Sequence, residues 1–394
     1  MSDRLWIQAG TLVTPLCTFP QVTIVVHGGQ IEEIRPGFWP PVVGDAVIDA
    51  REHIVGPGFI DLHVHGGNGY ETMDATPEAL DGLAIFHAQH GTTALLPSTV
   101  AAPAEQLHRA LEAFVAAMPG PPTGARILGA HVEGPFLSEA KRGAHPACYV
   151  RPPDRQRDGW LFEHLGAVRR VTLAPELPGA LHLIRELRER GVLISLGHST
   201  ADEETVGRAV LAGASHVTHL FNAMSTMEKL GALRRVGLAE IALARDDLTV
   251  EVIADGWHVP ITMLQLAARL KGPAGMALVT DAMRAAGLPD GRYTLGAEDG
   301  MGVTVRDGMA ITDEGGLAGS IATMDELVRN AVRRVGLSLA QAWQMASLTP
   351  ARILGAADRM GEVAVGKEAD LVILNQDLAV EATIVAGRVV HPAP

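Results

Sequence analysis

Apolar positions along this chain change rhythm twice. Over about the first fifty residues they alternate with polar ones, as in RLWIQAGTLVT and QVTIVVHGGQIEEIRPG, and this period of two predicts strands. His27-Gly28-Gly29-Gln30 supplies a hairpin turn between two of them. From Ile54 a short apolar run is followed by a helix-like one, again and again: TTALLPST then PAEQLHRALEAFVAAM, VLISLGHST then DEETVGRAVLAGA. Eight such runs fall near 58–65, 92–99, 126–133, 169–175, 192–198, 214–219, 248–255 and 276–281. Eight strands with helical crossovers predict an α/β fold, a (β/α)8 TIM-like barrel over residues 54–354. The turn-rich stretch RYTLGAEDGMGVTVRDGMAITDEGG interrupts the rhythm and predicts a hairpin inserted after the eighth strand. Two helices follow, TMDELVRNAVRRVG and SLAQAWQMASLTPARILG. After Gly355 the chain turns to strands again in KEADLVILNQ and EATIVAGRVV. Residues 1–53 and 355–394 are therefore expected to pair into one small β-sandwich beside the barrel.

This architecture gives the polar residues at strand ends their meaning. A parallel barrel gathers the C-terminal ends of its strands on one face, where substrates bind. GFIDLHVHGG ends in His63 and His65, ARILGAHVEGP in Glu133, VLISLGHST in His198, ASHVTHLFN in His219, and MALVTDAM in Asp281. Residues two apart on a strand share a face, so His63 and His65 both point into the barrel mouth. A histidine pair alone is a weak signal, because a single strand histidine is more often a hydrogen-bonded core residue. Five strands delivering six imidazole and carboxylate groups to one point is a strong one. Neutral imidazole and carboxylate suit zinc or iron(II), and Glu133 can ligate one ion or bridge two.

Composition narrows the partners. The chain has 394 residues, 47% of them hydrophobic, enough for a large barrel of ~250 residues with an appendage. A net charge of −13 argues against nucleic acid or an anionic membrane as partner. Cys17 and Cys148 are the only cysteines, so a reducing cytoplasm is expected. MSDRLWIQAG lacks the pattern of a signal peptide, and no apolar run reaches the ~18 residues of a membrane span.

PGFIDLHVHGG resembles the first-strand signature of the amidohydrolase superfamily. HVEGPF, GHST, THLFNAM, ADGWH and VTDAM, in order along the chain, resemble the N-acetylglucosamine-6-phosphate deacetylases, and GEVAVGKEADLVIL resembles the returning strands of the superfamily's small domain. The resemblance implies a metal-dependent hydrolase that removes the acetyl group from an amino-sugar 6-phosphate and releases acetate. It implies a principal metal site of Glu133, His198 and His219, and a second ion held by His63, His65, Glu133 and Asp281. One or two divalent ions per subunit follow, zinc before iron. A divalent cation lowers the pKa of bound water towards ~7. Asp281 is then implied as the group that takes the water's proton and passes it to the departing amine. Its plainer reading is a ligand only, or an N-cap for a helix at AMRAAG. His145 in KRGAHPACYV is implied to steady the acetyl oxygen, with Ala144 beside the substrate; the plain alternative is an exposed loop histidine.

The same resemblance implies substrate contacts at Asn222 and Ala223 for the phosphate end and at Asp255 and His258 in ADGWH. It adds Leu317, Ala318, Gly319 and Ser320 near the acetyl group and sugar ring. One motif departs from the family. Where the deacetylases carry an Arg-Glu-Pro-Gly-like stretch, whose arginine reaches a neighbouring subunit's substrate, this chain reads STMEKLGALRRVGLAE. Arg234 falls at the arginine position, with Arg235 and Lys229 as replacements; the plainer reading is a solvated helix face. A homodimer or higher homo-oligomer is implied if Arg234 serves a partner's site. An N-acetylgalactosamine 6-phosphate substrate, another amide, and a non-catalytic scaffold on the same fold are the alternatives. His87, His90, His108, His164 and His182 fall in helical stretches and need only packing or surface roles, whereas His131 and His216 sit where they can support ligands.

Overall fold

The computed structural model describes residues 4–119, 123–297 and 300–391. Residues 1–3 and 392–394 of the expected flanking segments, and Glu298 and Asp299 of the expected insertion, lie outside the described residues.

The period-two stretches form the strands Arg4–Val13, Thr18–His27 and Gln30–Pro36. His27 faces Gln30 across a turn in which Gly28 and Gly29 take φ of 57° and 80°, backbone that a hairpin of this length requires. These strands join Ala46–Pro57, Leu371–Leu374, Val380–Val385 and Arg388–His391 in one seven-stranded sheet. The link between the two ends of the chain is the parallel pairing of Arg4–Val13 with Ala46–Pro57, which in turn pairs with Leu371–Leu374. The expected sandwich is thus a single sheet curled over its own core of Ile7, Ile24, Val55, Leu371 and Ile384. The edge strand Gln30–Pro36 folds back onto the chain entering Leu371–Leu374, where Ile31 N–H donates to the Lys367 carbonyl (2.8 Å) and Ala369 N–H to that of Gly29 (2.9 Å). Ala46–Pro57 leads into the first barrel strand through the single residue Gly58. There the Trp343 indole donates to the Pro57 carbonyl (2.7 Å), and a Cβ on Gly56 would come within 2.5 Å of the Trp343 ring.

The barrel strands are Phe59–Val64, Thr92–Pro97, Arg126–Ile127 with Ala130–Glu133, Val168–Leu173, Leu193–Leu196, His216–Val217, Thr249–Val252 and Met276–Leu278. Consecutive strands pair in parallel, and bridges Ser98↔His131 and Val64↔Ala282 close the ring. Helices between them are set by local caps: Thr76 Oγ1 accepts from Ala79 N–H ahead of Pro77–Gln89, and Asp202 accepts from Thr205 N–H ahead of Glu203–Ala212.

Three expectations change. The insertion is a three-stranded antiparallel sheet, Gly291–Leu295, Met301–Arg306 and Met309–Thr312, because the second turn at Asp307-Gly308 folds the chain back once more. The final helix is broken at Ser347, which leaves helical backbone (φ −136°, ψ −75°), into Leu339–Ala346 and Leu348–Ile353. The segment around Arg234 is an exposed β-hairpin, Glu228–Leu230 with Leu233–Arg235, rather than a helix face; Gly231 at φ 63° makes the turn. Among the described residues no helix is long and apolar enough to cross a membrane.

Candidate active site

The six ligand candidates converge at the C-terminal mouth of the barrel, all buried. Glu133 ends its strand, while His198, His219 and Asp281 lie two or three residues beyond theirs. Those three carry φ of 50°, 25° and 50°, a left-handed backbone that is uncommon outside glycine. The loops leaving the strands turn sharply there, and strain of this kind collects at sites whose side chains must be aimed.

Two clusters share one carboxylate. His63 Nε2 lies 3.1 Å from both His65 Nε2 and Glu133 Oε2, and His65 Nε2 lies 3.1 Å from Asp281 Oδ1. His198 Nε2 lies 3.1 Å from His219 Nε2 and 3.2 Å from Glu133 Oε1, with His219 Nε2 at 3.3 Å from the same oxygen. Each oxygen of Glu133 therefore faces its own pair of histidines, the geometry of a bridging carboxylate.

Hydrogen bonds on the far side of the rings fix what the near side offers. His63 Nδ1 faces Glu251 Oε1 (3.0 Å), His65 Nδ1 the Ser98 carbonyl (3.2 Å) and His198 Nδ1 the Lys141 carbonyl (2.8 Å). Carbonyls and carboxylates only accept, so these Nδ1 atoms carry a hydrogen, and in the neutral ring each Nε2 presents a lone pair. The lone pairs of His63 and His65, 3.1 Å apart, repel unless a cation or a proton sits between them. Four imidazoles and two carboxylates gathered in this way fit zinc or iron(II). His219 Nδ1 is buried and has no partner among the described residues.

Charge follows the same design. Burial pushes the Glu133 carboxyl up, but positive charge at the centre, which without a bound ion falls to protons on His63 and its neighbours, holds it well below the usual range. The same positive charge, on His63 first and then on His65, holds Asp281 at about 2 against its burial. No helix starts at Asp281; Ala282 bridges to Val64 and Ser320 instead, so the capping alternative fails. His145 is buried too, not an exposed loop residue, and burial lowers it to about 4. Its Nδ1 accepts from Ala101 N–H (3.0 Å), which places the ring's hydrogen on Nε2, 3.5 Å from Glu133 Oε2. His145 is thus a neutral donor aimed at the centre.

Sequence reasoning missed the layer beneath. Glu251 accepts a two-pronged bond from Arg170 (2.6 and 2.8 Å), accepts from His63 and from the His219 backbone N–H (3.1 Å), and lies 3.3 Å from His216. Arg170 and Glu251 are fully buried, and Arg170, with His63 and His216, holds the glutamate well below the usual range against its burial. His131 fills the same layer between Ser98 and Thr172 (2.8 and 2.7 Å), so both His131 and His216 stand behind ligands as expected. The signal that could have found this layer is a charge inside an apolar strand, as in LTVEVIAD.

Above the centre opens a cavity of about 460 Å³. Ala144, His145, Asn222, Ala223, His258, Leu317 and Gly319 line it, as expected, together with Phe221, Leu295, Thr312 and Glu314, which were not. The last three come from the inserted sheet and the turn after it. Arg142 ties Glu314 to the opposite loop (2.6 Å) and also donates to the His145 carbonyl (2.9 Å). Asp255 reaches the cavity only through His258, whose Nδ1 it binds at 2.7 Å. Ala318 and Ser320 are buried behind the wall, Ser320 Oγ donating to the Thr280 carbonyl (2.5 Å). Arg234, Arg235 and Lys229 do not reach the cavity of their own chain; Lys229 and Arg234 face each other on the exposed hairpin, and Arg235 pairs with Asp202. Among the described residues the cavity has no Lys or Arg in its lining.

Residues 54–390 match the model of the Amidohydrolase family. The chain is 40% identical over 393 residues to an N-acetylglucosamine-6-phosphate deacetylase of Bacillus subtilis, covering 99% of this chain and 98% of that protein. It is 37% identical to an N-acetylgalactosamine-6-phosphate deacetylase of Escherichia coli O157:H7, covering 92% and 93%. The solved structure of a mutant N-acetyl-D-glucosamine-6-phosphate deacetylase from Mycobacterium smegmatis, in complex with N-acetyl-D-glucosamine-6-phosphate, superimposes with a TM-score of 0.90 at 34% identity, covering 99% of this chain and all of that one. A complete barrel with paired ligand clusters at its mouth and a family match over most of its length agree: the chain belongs to the amidohydrolase family of metal-dependent hydrolases.

Proposed function

We propose that the cavity holds N-acetylglucosamine 6-phosphate and that the enzyme hydrolyses its acetamide to glucosamine 6-phosphate and acetate. The observation that carries this reading is the Glu133 carboxylate shared by two histidine pairs, with His145 and Asp281 around the same cavity. Glu133, His198 and His219 would hold one ion, and His63, His65 and Asp281 with Glu133 a second. One or two divalent cations, zinc before iron, would when bound supply the polarisation that makes water nucleophilic near pH 7.

The residues do the rest. Neutral His145 offers Nε2–H to the acetyl oxygen as charge develops on it. Asp281 directs Oδ1 at His65 and has Oδ2 to accept the water's proton, which it returns to the amine nitrogen as the C–N bond breaks. His258, oriented by Asp255, and Asn222 with the backbone of Ala223 bind the sugar and phosphate. Leu317 and Gly319 close on the acetyl and ring side, held from behind by Ala318 and Ser320. With no cation in the cavity lining, the phosphate charge is met by Arg234 on the hairpin of a second subunit, which makes the active form a homodimer or larger homo-oligomer. Two free exposed cysteines, Cys17 and Cys148, suit a reducing cytoplasm.

The test measures acetate release from N-acetylglucosamine 6-phosphate, its 4-epimer and the unphosphorylated sugar, with metal content determined on the same sample. Fastest turnover on the first, lost on chelation and restored by zinc, is expected. Preference for the galactosamine epimer would move the assignment to the relative of that specificity, and metal-independent turnover would overturn the mechanism.

A further inference from the structure

A second cavity, of about 480 Å³, opens at the other end of the barrel. Arg169 near the start of Val168–Leu173, Leu193 at the start of its strand and Ser215 just before His216–Val217 place it at the N-terminal strand ends, away from the ligand clusters. Four arginines line it, Arg169, Arg188, Arg352 and Arg359, and no acidic residue does. Arg359 is paired with Glu368 (2.6 Å). Among the described residues, Arg169, Arg188 and Arg352 form no ion pair.

Three unpaired guanidinium groups around one cavity repel one another, in a chain whose net charge of −13 offers carboxylates in excess. Arg188 and Arg352 sit in the last turns of Ala180–Glu189 and Leu348–Ile353, where the helix dipole favours a cation. That accounts for neither Arg169, which is on a strand, nor the convergence of all three. Their placement is also fixed. A Cβ at Gly129 would lie 2.4 Å from Arg169 Cγ and one at Gly213 2.6 Å from Arg188 Cγ, so both stems run across bare backbone. Arg169 Nε donates to the Leu128 carbonyl (3.1 Å), and among the described residues its two terminal nitrogens form no hydrogen bond. The floor is apolar: Leu128, Ile353 and Leu354 pack against the inner cluster of Ile60, Leu62 and Leu96.

We propose that this cavity is a second anion site, which binds the phosphate group of a small phosphorylated molecule whose organic part rests on the apolar floor. Guanidinium groups match phosphate through paired parallel hydrogen bonds, and a cavity of this size suits a ligand of drug or nucleotide dimensions. Arg169, Arg188 and Arg352 supply the charge, while Arg359 is neutralised by Glu368.

The experiment titrates the metal-loaded full-length protein with inorganic phosphate by calorimetry, beside the Arg188→Gln/Arg352→Gln double variant. The wild type should show a binding event that the double variant weakens at least tenfold, while the melting temperature and turnover stay at wild-type values. An identical isotherm in the variant overturns the proposal, since phosphate then binds only elsewhere, and so does the absence of binding in the wild type. Should the double variant melt lower, Arg352→Gln alone repeats the comparison at one exposed position, with a weakening of severalfold expected. None of these readouts depends on which sugar the enzyme deacetylates.

Discussion

The mouth of the barrel and the Glu228–Arg235 hairpin are built on opposite principles. At the mouth six side chains from five strands are buried, aimed by strained backbone and held from behind by carbonyls, Glu251 and Arg170. On the hairpin every residue from Glu228 to Arg235 is exposed, and among the described residues Arg234 forms no side-chain hydrogen bond or ion pair. Chemistry needs atoms placed to a few tenths of an ångström, so the fold surrounds them. Charge recognition of a phosphate needs less exact placement, and among the described residues the cavity has no Lys or Arg of its own chain, which is why Arg234 is proposed to serve a neighbour's.

The most severe test of this contrast is Asp281→Asn. The amide still coordinates but cannot carry a proton, so kcat should fall by roughly 10²–10⁴-fold with metal content retained. Turnover near the wild-type value would reduce Asp281 to a ligand. A smaller effect is expected one layer down. Glu251→Gln leaves the ligands in place but removes the charge that His63, His216 and Arg170 surround, and metal affinity should drop about 10–100-fold, read by competition with a chelator. Unchanged affinity would show that the rings are held by packing alone.

On the hairpin the effect should change kind. Arg234→Ala should raise KM by roughly 10–100-fold, the scale of one charge-assisted contact, while kcat stays within about twofold. Mixing Arg234→Ala with Asp281→Asn subunits sharpens the point. Each variant contributes what the other lacks, so activity above that of either alone is expected if the arginine works across an interface. No gain would confine Arg234 to its own chain.

The same contrast separates what is legible in the amino-acid sequence from what is not. The eight barrel strands and the six ligand candidates are legible because a period change and a polar residue ending an apolar run are local signals. The Arg170–Glu251 pair is not, since it joins residues 81 apart whose partnership exists only once the barrel closes. The third strand of the insertion and the break at Ser347 escape the sequence pattern, because turn geometry and packing around one serine override helix and strand propensity. The expected sandwich is one curled sheet, since whether Arg4–Val13 pairs with Ala46–Pro57 depends on register rather than composition. For Arg234, local sequence does not tell helix from hairpin: the segment has no buried face to impose a period.

A last and smallest effect concerns pH. His87 lies fully buried in the helix Pro77–Gln89 and donates Nε2–H to the Gly66 carbonyl (3.0 Å), bracing the loop that follows His65. Burial lowers its pKa to about 4 from the usual 6.5, an effect the Gly66 bond only partly opposes. The unfolded chain therefore binds this proton below pH 6.5 while the folded one resists it until about pH 4. Stability should fall as the pH drops through that window and level off beneath it. Between pH 7 and 5.5 the single group contributes about 1 kcal/mol of that loss, measurable by urea unfolding. His87→Gln keeps a donor for Gly66 but has no proton to gain, so it should flatten the slope by that amount. Arg234→Ala, removing a group charged throughout this range, should leave the slope as it is. If both variants kept the wild-type slope, His87 would be shown to protonate in place, and the mouth of the barrel would be a looser structure than its buried contacts imply.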